Sequence, residues 1–144
     1  MKVFSALLTL CAVTALLGPL VEGRERAAET AVRGYLAAIE AGDAEAALAY
    51  LAPDQRDAWR IFVQHQAGDR FRLVSVAVQR TPLWQNLSGW TRTRSITVVA
   101  DARGKGGQTW QAADLVRGSY EDNTWLLLAP PFGPPEPWLV PPGA

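Results

Sequence analysis

From Ala27 to Leu51 the chain reads AAETAVRGYLAAIEAGDAEAALAYL, and this run restricts the fold more than any other stretch. Val32, Tyr35, Leu36 and Ile39 stand at i, i+3, i+4 and i+7, which places them on one face of a 3.6-residue helix. Arg33 and Glu40 fall off that stripe. Gly42 is suited to stop the helix, because glycine takes positive φ without steric cost. Asp43 then caps a second helix, its carboxylate accepting from the free N–H groups of the next turn. Ala44, Ala47, Leu48 and Leu51 repeat the apolar spacing, and Pro53 closes the run. The prediction is a helix pair with a tight elbow, whose common apolar face must be covered by something downstream.

Composition sets the outer limits. With 144 residues, 49% of them hydrophobic, the chain is long enough for one domain plus extras at its ends. Positive and negative side chains balance at 14 each, so there is no broad basic character to suggest a nucleic-acid partner. Residues 1–23 read as a targeting segment. Lys2 gives a positive start, Val3 to Val21 is uncharged, and Val21-Glu22-Gly23 fits the −3 and −1 positions of a signal-peptidase site. The run from 3 to 21 is also long enough to serve as an uncleaved membrane anchor. Gly18-Pro19 near its end favours a cleaved signal. Leu10 directly before Cys11 argues against lipoprotein processing, which uses a small residue there. Each reading exports the domain to the periplasm, the cell surface or the medium. Cys11 is the sole cysteine, so a cleaved chain has no thiol or disulfide chemistry.

The elbow AAIEAGDAEAALAYLAPD resembles the opening of the NTF2-like (nuclear transport factor 2-like, SnoaL/ketosteroid-isomerase-like) superfamily. Its small α+β domains often begin with a helix, a Gly-Asp break and an Ala-rich second helix. The resemblance implies an α+β cone over residues 24–129, with three N-terminal helices packed on a curved, mainly antiparallel sheet of about four strands. It implies no activity, because the superfamily holds isomerases, dehydratases and hydrolases as well as non-catalytic binding and accessory domains. No catalytic motif of those enzymes aligns with this chain.

Beyond the elbow, Asp54 is placed to cap a third helix from Gln55 to about Ala67, with Gly68 as its stop. Ala58, Ile61, Phe62 and His65 share one face of it, with Trp59 and Val63 beside them. His65 is the only histidine; it reads first as a core-edge imidazole and second as a general base or metal ligand. Without a second histidine or a cysteine beside it, neither a metal nor another cofactor is expected. Phe71 to Arg80 alternates through Val74, Val76 and Val78 as a half-buried strand does. Trp90 to Ala102 and Gln108 to Gly118 flank a Gly-rich turn and predict a hairpin, and Thr124 to Ala129 predicts a last strand.

Setting Ala102 opposite Gln108 gathers Ile96, Val98, Ala100, Trp110, Ala112 and Val116 on one core face. Asp114 and Arg94 fall on that same face, and a carboxylate among apolar neighbours is costly unless paired. Two readings follow. Asp114 pairs with Arg94, or bonds to the hydroxyl of Tyr35 or Tyr50. Alternatively it faces a pocket between sheet and helices as a general base, with Tyr35, Tyr50 or His65 assisting. The opposite face would carry Val99, Leu115, Trp125 and Leu127, an apolar stripe to be covered by a second copy of the chain or by the tail. Residues 130–144 hold seven of the ten prolines and predict an extended segment anchored by Phe132, Trp138 and Leu139. Trp84 and Trp90 flank one loop and are placed to form the lip of a ligand pocket, with Trp110 inside it.

The sequence therefore points first to an exported, non-catalytic domain that binds a small apolar ligand or a protein partner. An envelope accessory protein held by its N-terminal helix, and a small isomerase or dehydratase using Asp114, are the other expectations.

Overall fold

The computed structural model describes residues 26–79, 93–121 and 124–137. Three helices, α1 (26–40), α2 (Ala44–Leu48) and α3 (Arg56–Gln66), precede four strands, β1 (Arg70–Val78), β2 (Thr93–Arg103), β3 (Thr109–Glu121) and β4 (Thr124–Leu127). The strands form one antiparallel sheet in chain order, curled as a half-barrel against the helices.

The elbow forms as its residues dictate. Gly42 has φ +75°; its N–H donates to the Ile39 carbonyl and that of Asp43 to the Ala38 carbonyl, the paired bonds of a Schellman stop. Asp43 then caps α2 by accepting from the Ala46 N–H at 2.9 Å. Val32, Tyr35, Leu36 and Ile39 are all buried, and each such side chain removed from water contributes about 1.5–3 kcal/mol. The chain leaving α2 bonds to the sheet: the Leu127 N–H donates to the Tyr50 carbonyl and the Ala52 N–H to the Leu127 carbonyl. Leu51 thereby covers the outer edge of β4.

In α3 the buried face is Trp59, Phe62, Val63 and Gln66, one residue around from the expected face, and His65 is exposed. Trp59 meets Phe62 edge to face at 6.0 Å, and seating both rings turns the helix to that face. Asp54 does not cap it: Gln55 is the N-cap without a side-chain bond, and the Asp54 carboxylate accepts from the Gln55 amide instead. Gly68, with φ +94°, stops α3 and donates to the Ile39 carbonyl, tying the ends of α1 and α3 together.

Strand parity departs from simple alternation at two places. In β1, Leu73 pairs with Ala100 and Ser75 with Val99, so Val74 is an extra residue in a bulge and is 55% exposed. The inward side chains are Phe71 and Leu73 before the bulge and Val76 and Val78 after it. In the β2–β3 hairpin Ala102 faces Trp110, two residues from the expected register. An even shift preserves the faces, so Ile96, Val98, Ala100 and Val116 are buried, but Trp110 sits at the sheet end and is 46% exposed. In β4, Tyr120 faces Trp125 and Gly118 faces Leu127, an even residue opposite an odd one. Trp125 and Leu127 consequently point into the core rather than away from it.

Gly34 lies mid-helix, where alanine is worth about 1 kcal/mol more in propensity. A Cβ there would strike the Tyr50 ring. Gly34→Ala is expected to lower stability in urea unfolding, whereas the same change in a Tyr50→Ala background should raise it by about 1 kcal/mol.

Candidate functional site

The interior between sheet and helices is where the sequence placed a pocket around Asp114. Asp114 lies opposite Val98 on the inward face of β3, as its parity requires. One carboxylate oxygen accepts from the Leu115 N–H and the other from the Phe132 N–H, both at 2.7 Å. Arg94 stands opposite Gly118, two repeats of the pleat away, and donates to the Thr93 carbonyl. The expected Asp114–Arg94 ion pair does not form, because Arg94 is displaced along the sheet by four positions and the tail takes the carboxylate.

Within the described part of the tail, residues 130–133 form a turn. The Gly133 N–H reaches back to the Pro130 carbonyl, closing a turn with Pro131 second and Phe132 third. Phe132 has φ +61°, as the third position of a type II turn requires, although glycine or asparagine normally holds it. Its ring stacks on Phe71 at 5.2 Å and 11°, and Pro130 and Pro131 are fully buried. The strained residue is thus held on two sides, by a carboxylate at its amide and a ring against its side chain.

Tyr35 and Gln66 complete the clamp. The Tyr35 hydroxyl donates to Gln66 Oε1 at 2.6 Å, and Gln66 Nε2 donates to the Pro131 carbonyl at 3.1 Å. Burial pushes the Tyr35 hydroxyl far above its ordinary pKa, since the phenolate has no solvent there. Every buried side-chain nitrogen and oxygen among the described residues has a hydrogen-bond partner. Among the described residues, the chain's own Pro130-Pro131-Phe132 turn packs against Gln66 of α3, Asp114 of β3 and Phe71 of β1.

The remaining expected site residues do not meet there. Tyr50 is half-buried against Gly34. His65 is exposed at the end of α3, where its backbone carbonyl accepts from the Lys105 ammonium at 2.8 Å. Trp110 is on the outer end of the hairpin, its ring beside Gly104. Trp84, Trp90, Trp138 and the 1–23 segment lie outside the described residues. Among the described residues no group of three His, Cys, Asp or Glu could hold a metal ion, and no helix is long and apolar enough to cross a membrane. Gln66 was not anticipated, and Phe132 was expected as an apolar anchor of the tail but not as the donor to Asp114. The spacing of Trp59, Phe62, Val63 and Gln66 carries the signal for the first, and Pro-Pro-Phe-Gly carries a turn signal for the second.

Comparison with protein-family models, with curated proteins and with solved structures finds no match to this chain.

Two measurements check the clamp. Asp114→Ala leaves the Phe132 N–H without its acceptor and is expected to cost about 1–3 kcal/mol in urea unfolding, with Asp114→Asn costing less because one acceptor oxygen remains. The raised Tyr35 pKa means the unfolded chain releases that proton first, so stability should begin to fall as pH rises past the ordinary tyrosine value of 10.0. In Tyr35→Phe that alkaline decline should be shallower, read by thermal melts between neutral and strongly alkaline pH.

Proposed function

We propose that this chain is an exported, non-catalytic α+β domain of the NTF2-like kind that acts by binding a protein partner through its surface. The observation that carries the reading is the occupancy of the interior. The site where a cone of this type would take a small ligand contains Pro130, Pro131 and Phe132, and the inward carboxylate of Asp114 is engaged by two backbone N–H groups. A general base must reach the proton it removes. Asp114 is covered by the tail, Tyr35 is engaged with Gln66, and His65 lies on the outside, so the three do not converge on one substrate.

The NTF2-like assignment is supported by the elbow sequence and by three helices lying on a curled four-stranded sheet. Export is supported by the uncharged run from Val3 to Val21 and the cleavage pattern at Val21-Glu22-Gly23. An interior engaged by the tail moves recognition to the exterior, where the outward face of the sheet is exposed.

Native mass spectrometry of the full chain, expressed and exported in a bacterial host, tests the reading. The expected mass begins at Arg24 and carries no small-molecule adduct, and chemical cross-linking in the native envelope yields a discrete adduct with another polypeptide. A reproducible small-molecule mass on the purified domain would overturn it in favour of a ligand-binding cone.

A further inference from the structure

The outward face of the sheet has an electrostatic feature that the fold does not need. Arg70 on β1 pairs directly with Arg103 on β2. Side chains so paired have Cβ atoms about 5 Å apart, and like charges directly opposite are destabilising. Arg72 and Asp101 form the next row, with Thr109 and Gln111 beyond them on β3. These residues line an open depression of about 740 Å³. A second depression, of about 360 Å³, adjoins it through Arg70 and Arg103 and adds Lys105 from the hairpin turn.

Several other cations of the described surface have partners, although Arg26 and Arg117 have no carboxylate within ion-pair distance among the described residues. Arg33 pairs with Glu29, Arg60 with Glu45 and Asp57, and Arg56 donates to the Leu51 and Ala49 carbonyls. Among the described residues no carboxylate lies within ion-pair distance of Arg70, Arg72, Arg103 or Lys105. Charge on an edge strand deters unwanted strand pairing, and that accounts for Arg70 and Arg72 on β1. It does not account for Arg103, which is on an internal strand. Lys105 is held in place by its bond to the His65 carbonyl, so its position is fixed beside the pair.

We propose that this end of the outer sheet face is a docking surface for an acidic segment of a protein partner, in which one carboxylate bridges Arg70 and Arg103. The inference rests on the partner-binding reading above and specifies where and by what chemistry the partner is held. Guanidinium groups suit carboxylates because their N–H forks meet both oxygens. Arg72 and Lys105 flank the bridge and take further acidic side chains. Asp101, Thr109 and Gln111 distinguish the occupant. A carboxylate within the depression repels a continuously anionic surface such as a lipid bilayer or a polyphosphate. It accepts from the N–H groups that a peptide places between its acidic side chains. A second copy docked face to face would set the same arginines against one another.

The probe is a fluorescein-labelled octapeptide alternating Glu and Ser, titrated into the full chain by anisotropy, with a Gln/Ser octapeptide as control. The Glu peptide should bind, with affinity falling at high salt, and the Gln peptide should not. The double variant Arg70→Gln/Arg103→Gln should weaken binding at least ~10-fold, as expected for losing charge-assisted bonds to one carboxylate. Arg33→Gln, on the opposite layer, should leave it unchanged. The double variant should melt at or above the wild-type temperature, since a like-charge pair has been removed. No binding of the Glu peptide, equal loss in Arg33→Gln, a lowered melting temperature, or phosphatidylglycerol vesicles bound in preference to the peptide would each overturn the proposal. The envelope cross-link separates the two readings. A partner still captured by the double variant sinks this surface and leaves partner binding intact. Peptide binding by a wild-type chain that captures nothing keeps the surface and sinks the broader reading.

Discussion

The structure depends on burying a stretch of irregular backbone without leaving its polar groups unpaired. A loop inside a core is normally excluded, because each unsatisfied N–H or C=O costs about as much as a lost hydrogen bond. Pro130 and Pro131 reduce that difficulty at the outset, since neither has an N–H to satisfy. The Phe132 N–H and the Pro131 carbonyl remain, and Asp114 and Gln66 receive them. A proline-rich segment is therefore suited to burial against the sheet.

Those two bonds also connect separate layers of the fold. Tyr35 belongs to α1, Gln66 to α3, Pro131 to the tail and Asp114 to β3, while the Phe132 ring rests on Phe71 of β1. Helices and sheet are thus registered to one another through the tail. The positive φ of Phe132 follows from the same arrangement. A glycine would relax the turn but remove the ring that stacks on Phe71. Local strain is tolerated because the surrounding contacts over-determine it.

The helical half of the fold was legible in the sequence because its signals are local. Gly42, Asp43 and the Val32-Tyr35-Leu36-Ile39 stripe each act within one or two turns, and each does what its chemistry requires. The sheet was legible only where parity is uninterrupted. Ile96, Val98, Ala100 and Val116 were assigned to the core with the register two residues out, because an even error leaves the faces intact. A bulge at Val74 and the odd pairing of β3 with β4 are each a one-residue event, and each reverses every face beyond it. Trp125 and Leu127 moved from the outside to the core for that reason alone. The environment of Asp114 was not legible at all, since its partner is 18 residues away and is a main-chain amide, which no residue pattern announces.

Interior and exterior now contrast in where electrostatic cost is left standing. Inside, the polar side chains are matched: Asp114 by two N–H groups, Tyr35 by Gln66, and Gln66 by Pro131. A matched interior has little to offer a ligand, because any newcomer must first displace bonds as good as those it can form. Outside, Arg70 and Arg103 face one another across two strands without a carboxylate between them. Solvent screens that repulsion, so its cost to the fold is small, and a desolvating partner with negative charge converts it into attraction. The stabilising chemistry of this domain is turned inward and completed by its own tail, whereas its incomplete chemistry is on the open face of the sheet. On the proposed reading, recognition belongs where the chain has left charge for another molecule to complete.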